Sequence, residues 1–202
     1  MTRFVFTTLR AVFGPPFAIG FRLRTEGRPN LPAGGPAILV ANHASFLDPI
    51  FISLSVGRPV CFLVSQEYYE DRKLNWLLRT LGTIPVGGRN RFVRSFRRIA
   101  DVLGRGGYIG IFPEGGITRD GGMKPFRNGA ATIALRLGAP VVPIHVGGTY
   151  DALPRHAKWP RFVPVTITIG ASIAVPAPHD PSRDEAVELT RTIRGAVAAL
   201  GA

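Results

Sequence analysis

Residues 37–49 read AILVANHASFLDP. The first five form a short apolar run of the kind that makes a buried strand, and Asp48-Pro49 is a favourable helix start, with aspartate as N-cap and proline in the first turn. The segment therefore predicts a strand that passes through a turn into a helix. His43 and Asp48 are five positions apart, so their side chains can meet only if His43 precedes the helix and the chain folds back.

This pair permits two interpretations. In the first, Asp48 caps the helix and His43 is a polar residue at a strand end. In the second, the Asp48 carboxylate accepts a hydrogen bond from one ring nitrogen of His43, which fixes the tautomer and leaves the other nitrogen free as a base. The residues alone leave both interpretations open.

Short β-rich runs alternate with helical stretches along the rest of the chain. This alternation predicts a single α/β domain with a mainly parallel or mixed sheet flanked by helices. Ligands bind beyond the carboxyl ends of such strands, where His43, Arg89 and Glu114 are expected to converge. The predicted strands are 37–41, 59–64, 83–86, 107–112, 141–146 and 163–169. The predicted helices are 49–56, 68–80, 91–104, 127–137 and 183–200.

The composition is that of a folded domain with a basic surface. The chain has 202 residues, 46% of them hydrophobic, which is enough for one substantial core. Lysine and arginine outnumber aspartate and glutamate by 25 to 13, so the formal net charge is +12. The surplus predicts an anionic partner, which could be nucleic acid, phospholipid headgroups, a phosphorylated metabolite or an acidic protein. The single cysteine excludes an internal disulfide.

Residues 1–25 form an apolar and basic segment ahead of the predicted domain, 26–202. Its uncharged part, 11–21, is shorter than the roughly 20 apolar residues that a spanning helix needs, and it contains Pro15 and Pro16. Apolar side chains interspersed with arginines suit a segment that lies in a membrane interface. A helical hairpin that covers the domain's own core is the alternative, and the two are compatible.

A second segment with candidate functional residues is 111–129, which reads IFPEGGITRDGGMKPFRNG. Glu114 leaves an apolar strand and enters a glycine-rich turn that carries Arg119, Lys124 and Arg127. Glycines let backbone N–H groups approach a ligand closely, and arginines bind phosphate in a bidentate manner. A mobile surface loop is the alternative, but it does not explain the tight Phe-Pro-Glu-Gly start.

Other patterns argue against several enzyme classes. The sequence has no Gly-x-Ser-x-Gly elbow and no P-loop, and its four histidines lack metal-ligand spacing, so no metal site is predicted. His145, inside an apolar run, is interpreted as a strand residue near the site and not as a second base. The basic helix 91–104 carries Arg94, Arg97 and Arg98 on one face, which is either solvated or a docking surface for phosphates or an acidic protein.

Four segments, in order and at the right spacing, resemble motifs of the lysophosphatidic acid acyltransferase (1-acylglycerol-3-phosphate acyltransferase) family. The resemblance runs from about residue 26, where 26–32 looks like the lead-in to the first strand, to residue 146. The segments are 42–49, similar to the His-four-residues-Asp motif; 81–86 with Arg89, similar to the second motif; 112–115, similar to the acceptor-binding motif; and 142–144, similar to the final motif.

This resemblance implies a glycerol-3-phosphate acyltransferase-like fold and acyl transfer from acyl-CoA or acyl-carrier protein to a lysolipid hydroxyl. His43 is then the general base and Asp48 orients it. The resemblance is compatible with the partner that residues 1–25 predict, an anionic membrane surface, with the protein peripheral on the cytosolic face of the cytoplasmic membrane. It implies no nucleic acid, metal or redox cofactor. The implied acceptor-binding residues are Arg89, Glu114, Gly115, Thr118 and Arg119.

Two departures from the family pattern concern the acceptor headgroup. Ile117 occupies the position where many members have arginine, and Arg119 follows two residues later. Arg89 comes one residue late, so Arg91 is an alternative. Lysophosphatidic acid is the expected acceptor, and another lysophospholipid is the alternative. A thioesterase, and a non-catalytic protein that binds membranes or nucleic acid, are rival interpretations.

Overall fold

The computed structural model describes residues 3–72, 75–87 and 92–202. The strands are β1 (Arg24–Glu26), β2 (Ala37–Ala41), β3 (Val60–Ser65), β4 (Ile84–Val86), β5 (Tyr108–Ile111), β6 (Val141–Gly147) and β7 (Thr166–Ile169). Within the described ranges these seven strands form one sheet in the order β1-β7-β6-β2-β5-β3-β4. Neighbouring strands are parallel except β6 and β7, which are antiparallel. The predicted mixed α/β sheet is confirmed.

The helices flank this sheet. They are α1 (Arg3–Gly20), α2 (Asp48–Val56), α3 (Gln66–Glu70), α4 (Asn75–Thr80), α5 (Phe92–Gly104), α6 (Gly129–Leu137), α7 (Thr149–Ala152) and α8 (Arg183–Ala199), with a 3₁₀ turn at Arg28–Asn30. Ser182 caps α8 as predicted: its side chain accepts from the Glu185 N–H, and the Glu185 side chain accepts from the Ser182 N–H.

The central strand β2 separates two hydrophobic cores. Leu39 and Ala41 face the first core, which includes Phe51 of α2. Ile38 and Val40 face the second core, which is closed by apolar residues of α5, α6 and α8. Every residue of β2 is buried, so the turn that follows it starts from a rigid position.

The N-terminal segment covers the domain's own core, as the alternative interpretation predicted, but its described part forms one helix and not a hairpin. Helix α1 runs through Pro15 and Pro16. Its last turn packs on the first core, with the Phe17 ring centroid 6.2 Å from that of Phe51, and Phe21 follows at 5.1 Å from Phe51. Tertiary packing therefore holds the helical path despite the backbone N–H groups that proline lacks. Among the described residues, no helix is both long and apolar enough to cross a membrane.

Other elements also differ from the prediction, among them the short helix α7, which was not predicted, and β7, which begins three residues later than expected. Strand β1 was not predicted, because the sequence Arg-Thr-Glu carries no apolar run; its parallel pairing with β7 creates the strand. The helix predicted at 68–80 is described in two parts, α3 and α4, on either side of residues 73–74, which lie outside the described ranges.

Candidate active site

The turn that follows β2 is tied to the neighbouring strand. The Asn42 side chain donates to the Val146 carbonyl at 2.9 Å and accepts from the Val146 N–H at 2.8 Å. These two buried hydrogen bonds link the residue after β2 to the backbone of β6, beyond the last paired residue of β2. They fix the start of the turn. Asn42 was not singled out from the sequence, because only the strand order reveals its partner.

His43 and Asp48 meet within this turn. Nδ1 of His43 lies 2.8 Å from Oδ2 of Asp48. The same Oδ2 accepts from the backbone N–H groups of Ala44, at 2.7 Å, and Ser45, at 2.8 Å. Asp48 is fully buried, and the Ser45 hydroxyl donates to the Leu153 carbonyl, so the turn is held from both sides.

The interpretation of Asp48 as a helix N-cap is wrong. Helix α2 begins at Asp48 itself, and Leu47 is the N-cap without a side-chain capping bond. The carboxylate instead turns back toward the residues before the helix, where two N–H groups and the imidazole converge on it. The hairpin-like turn, which the sequence permitted but did not require, provides the hydrogen bond between His43 and Asp48 on which the second interpretation depends.

The hydrogen bonds assign the imidazole tautomer. Since Oδ2 of Asp48 already accepts two N–H bonds, it acts as an acceptor toward the ring, and Nδ1 of His43 carries the proton. Nε2 then keeps its lone pair and makes no hydrogen bond to another described residue. The ring stacks on Phe112 with centroids 4.1 Å apart, and Phe112 stacks in turn on Phe62. The His43 ring is therefore fixed in orientation.

Glu114 joins the two chemistry-bearing segments. Its Oε1 accepts from the His43 N–H at 3.0 Å, and its Oε2 accepts from the Lys124 N–H at 3.2 Å. The Thr118 N–H donates to the His43 carbonyl at 2.9 Å, so both backbone polar groups of His43 are held by the loop after β5. Burial raises the pKa of Glu114, and the two N–H donors and the nearby positive charges oppose this rise.

The other residues predicted to bind the acceptor differ in their exposure and in their partners. Gly115 has a φ of 73° and lies against the Arg127 guanidinium, which a side chain at Gly115 would displace. Thr118 is buried, and its hydroxyl donates to Asp120. Arg119 is exposed, and its carbonyl accepts from the Tyr150 hydroxyl. Arg89, and the alternative Arg91, lie outside the described residues.

Two further cations surround the Glu114 turn. The Lys124 ammonium donates to the carbonyls of Gly116 and Ile117, which holds the glycine-rich backbone in place. The Arg127 guanidinium makes no hydrogen bond or ion pair to other residues in the described part of the chain, and it is exposed. The sequence contained both residues, but only the folded turn shows that one supports the loop and the other is available for an anion.

His145 is a strand residue of β6, as expected, but its side chain lies on the face of the sheet opposite to the His43 turn. Its neighbours in β6, Val146 and Ile144, face the first core with the His43 turn, whereas His145 packs toward the chain after α8, beside Gly201. Burial lowers the pKa of the His145 imidazole. In the described part of the chain, no group of three or more histidine, cysteine, aspartate or glutamate side chains is suited to hold a metal ion.

A basic cavity of about 200 Å³ lies at the β4 edge of the sheet. Arg94 and Arg98 of α5 and Arg79 of α4 line it together with Tyr69. Arg97 does not line the cavity, so the basic helix has a cavity side and a separate exposed side. The described lining residues include three arginines and no carboxylate, which makes this surface complementary to phosphate groups or acidic side chains.

Comparison with known proteins places this geometry in a family. A family model described as Acyltransferase matches residues 22–147, which include the His43–Asp48 turn, the Glu114 loop and most of the sheet. The chain belongs to the acyltransferase family. The resemblance to lysophosphatidic acid acyltransferases that the four motifs indicated is thereby confirmed, and it extends to solved structures and curated proteins.

The crystal structure of the 1-acyl-sn-glycerophosphate (LPA) acyltransferase PlsC from Thermotoga maritima matches 98% of this chain and 78% of its own, with a TM-score of 0.77 and 25% identity. A chloroplastic 1-acyl-sn-glycerol-3-phosphate acyltransferase of Brassica napus is 33% identical over 66% of this chain. A lyso-ornithine lipid O-acyltransferase of Pseudomonas aeruginosa is 30% identical over 68% of it. The chain spans 40% and 52%, respectively, of the lengths of these two relatives.

Proposed function

We propose that this protein transfers an acyl chain from acyl-CoA or acyl-carrier protein to the free hydroxyl of lysophosphatidic acid and so forms phosphatidic acid. The observation that carries the proposal is the 2.8 Å contact between His43 and Asp48, which leaves Nε2 of the histidine unpaired within the described residues. Curated relatives named 1-acyl-sn-glycerol-3-phosphate acyltransferases support the choice of acceptor.

In the proposed reaction, Nε2 of His43 removes the proton of the lysolipid hydroxyl as its oxygen attacks the thioester carbonyl. The tetrahedral intermediate collapses, the C–S bond breaks, and the thiolate takes the proton back from the imidazolium. Asp48 stabilises the imidazolium and keeps Nδ1 protonated. No covalent acyl-enzyme is needed, since the thioester is already activated.

Glu114 acts in this scheme through the backbone of His43. Both of its oxygens accept backbone N–H groups, so it holds the His43 turn and the glycine-rich loop at a fixed separation. Thr118 contributes in the same way through its N–H. The acceptor glycerol and phosphate would then bind along the turn formed by Gly115 and Arg119, with Arg89 as the further cation expected from the family resemblance.

The direct test incubates the purified protein with labelled acyl-CoA, or labelled acyl-carrier protein, and a panel of lysolipids. Labelled phosphatidic acid from lysophosphatidic acid is the expected product. Labelled free fatty acid with every lysolipid would support a thioesterase, and no turnover with any donor would support a non-catalytic binding protein.

A different lysolipid acceptor is the second candidate. Ile117 is buried at the position where many family members have arginine, so it supplies no charge to a phosphate. The relative named lyso-ornithine lipid O-acyltransferase supports acceptor variation within this family. Arg119 and Arg127 are exposed cations beside the turn. Their replacement can therefore distinguish lysophosphatidic acid from another lysolipid as the acceptor.

Replacing Arg119 by alanine is expected to lower kcat/KM for lysophosphatidic acid by about 10- to 100-fold, because a hydrogen bond to a charged group contributes about 1.5–3 kcal/mol. The kcat/KM for a lysophospholipid whose phosphate is a diester should fall less, since that phosphate carries one negative charge fewer. The measurement compares both acceptors with the parent and with Arg119→Ala.

Arg97→Ala is the matched control, because it removes one exposed arginine from α5 outside the basic cavity. Arg127→Ala, assayed in parallel, determines which cation holds the phosphate. Equal activity of Arg119→Ala and the parent on lysophosphatidic acid would remove Arg119 from the site and favour the other lysophospholipids.

We propose further that the protein is peripheral on the cytosolic face of the cytoplasmic membrane and attaches through α1. Phe17 and Phe21 contribute to the first core, so deleting the whole segment would damage the fold. The outward side of α1 instead exposes Val12 and Ile19, which are seven residues apart and so lie close to one face of the helix. These two side chains can enter a membrane interface without disturbing the core, because they are not part of it.

The double variant Val12→Ser, Ile19→Ser is expected to bind anionic vesicles at least about tenfold more weakly than the parent, since each buried aliphatic side chain contributes about 1.5–3 kcal/mol. High salt should weaken binding of the parent in part, because arginines near an anionic surface contribute about 1 kcal/mol each. Vesicle flotation measures both effects. Val93→Ser, an exposed valine on α5, is the control. If the parent never floats with anionic vesicles, the attachment proposal is wrong.

A further inference from the structure

The connection between α7 and β7, residues 154–164, exposes two large aromatic side chains. Trp159 is 82% exposed and Phe162 is 67% exposed. Both are large apolar groups that a folded protein usually buries in greater part. Exposed aromatic surface of this kind, next to other exposed apolar residues, indicates a binding surface.

The loop has a defined backbone path. The Ala157 N–H donates to the Pro154 carbonyl at 2.9 Å, and the Arg161 N–H donates to the Ala152 carbonyl at 2.7 Å. These bonds close a turn whose outer end carries Trp159. The tryptophan is therefore held outward by an ordered turn.

Phe162 connects this loop to the end of α1. Its ring centroid lies 5.0 Å from that of Phe21, and the absence of a side chain at Gly20 lets the Phe162 ring approach the helix backbone. Ile19, which precedes Gly20 in α1, is 77% exposed. The loop and the end of α1 therefore meet at Phe162, and we call the exposed apolar residues on either side of this contact the aromatic face: Ile19, Trp159 and Phe162.

The charge around the aromatic face matches an anionic lipid surface. Arg155, Lys158 and Arg161 are exposed and surround Trp159 along the chain. The sequence has no aspartate or glutamate from residue 152 to residue 179. Tryptophan prefers the headgroup level of a bilayer, and basic side chains beside it are attracted by anionic lipids.

We propose that loop 154–164 is a second membrane-contact segment, which places Trp159 and Phe162 in the headgroup region of an anionic bilayer beside α1. The proposal rests on the membrane attachment put forward above. It also orients the site, because the Leu153 carbonyl at the start of the loop accepts from the Ser45 hydroxyl in the His43–Asp48 turn. Two contact segments fix the rotation of the domain on the bilayer, which a single helix leaves free.

The test uses the fluorescence of Trp159 in the full chain. The sequence has two tryptophans, so Trp76→Phe leaves Trp159 as the only one. With vesicles of phosphatidylcholine and phosphatidylglycerol, the emission is expected to shift to shorter wavelength and to be quenched by lipids brominated on their acyl chains. Vesicles of phosphatidylcholine alone should give a weaker effect.

Trp159→Ala is expected to weaken affinity for these vesicles about tenfold with an unchanged melting temperature, because the exposed side chain contributes little to the fold. Phe162→Ala should weaken it similarly, but its contact with Phe21 makes it the secondary variant. Val93→Ser again serves as the control, since it removes exposed apolar surface elsewhere.

Each outcome decides between the proposals. Vesicle binding with unchanged and unquenched Trp159 emission would overturn the aromatic face as a membrane contact and leave attachment through α1 intact. Failure of the parent to bind any vesicle would overturn both. If Trp159→Ala leaves vesicle affinity unchanged but abolishes self-association of the chain, the aromatic face is a protein interface and the proposal is wrong. Acyl transfer to lysolipid in detergent tests the catalytic proposal independently of both membrane proposals.

Discussion

His43→Ala is expected to lower kcat/KM for acyl transfer by about 10²–10⁴-fold, because it removes the general base. The backbone contacts of His43 with Glu114 and Thr118 do not involve its side chain and should persist. The lost stacking on Phe112 should cost little stability. Turnover of labelled acyl-CoA with lysophosphatidic acid measures the loss, and the melting temperature reports the fold.

His179→Ala is the matched control for this variant. His179 is also a histidine paired with a carboxylate, since it lies 3.2 Å from Glu185, but this pair is near the start of α8 and on the surface. Its replacement should leave turnover unchanged. Near-normal turnover by a folded His43→Ala protein would end the proposed mechanism.

Asp48→Asn is expected to remove most of the activity with a smaller effect on the fold. An asparagine oxygen can still accept from the N–H groups of Ala44 and Ser45, but a neutral amide cannot stabilise the imidazolium of His43. In the serine protease triad the equivalent change lowers kcat by about 10⁴. The measurement is kcat for acyl transfer, with the melting temperature determined on the same preparation.

Asp48→Ala separates the two roles of this carboxylate. It leaves the N–H groups of Ala44 and Ser45 without their buried acceptor, which costs about 1–3 kcal/mol for each unsatisfied group. We therefore expect the alanine variant to lose stability as well as activity, whereas the asparagine variant loses mainly activity. Parental turnover in Asp48→Asn would show that the carboxylate only supports the turn.

The sequence predicted the architecture well where the pattern was local. The run 37–41 and the four predicted strands that follow it, up to 141–146, have the length and residue types of buried strands. The observed β2, β3, β4, β5 and β6 coincide with them to within a residue or two. Periodicity and capping are properties of neighbouring residues, so Ser182 could be assigned as the cap of α8. The short charged strand β1 has no such pattern and depends on its partner β7.

The sequence also indicated which residues form the site, but the roles of those residues depend on the folded structure. The motif order indicated His43 and Asp48 as a pair, but their spacing permitted a helix cap equally well. Only the folded turn, which brings two N–H groups and one imidazole onto a single carboxylate oxygen, selects the pair. Glu114 was expected to bind the acceptor, whereas both of its oxygens accept backbone N–H groups of the site.

The sequence by itself determined the α/β class, the family and the convergence of His43 and Glu114 at the carboxyl ends of their strands. The tertiary structure decided what individual residues touch: which oxygen of Asp48 the imidazole meets, that Arg127 and not Lys124 is left without a partner among the described residues, and that Phe162 packs on Phe21 while Trp159 is exposed. The physical reason is that strand and helix patterns repeat every two or 3.6 residues along the chain. Hydrogen bonds and exposure instead depend on groups that are distant in sequence, such as Glu114 and His43, and are set only when the sheet order brings them together.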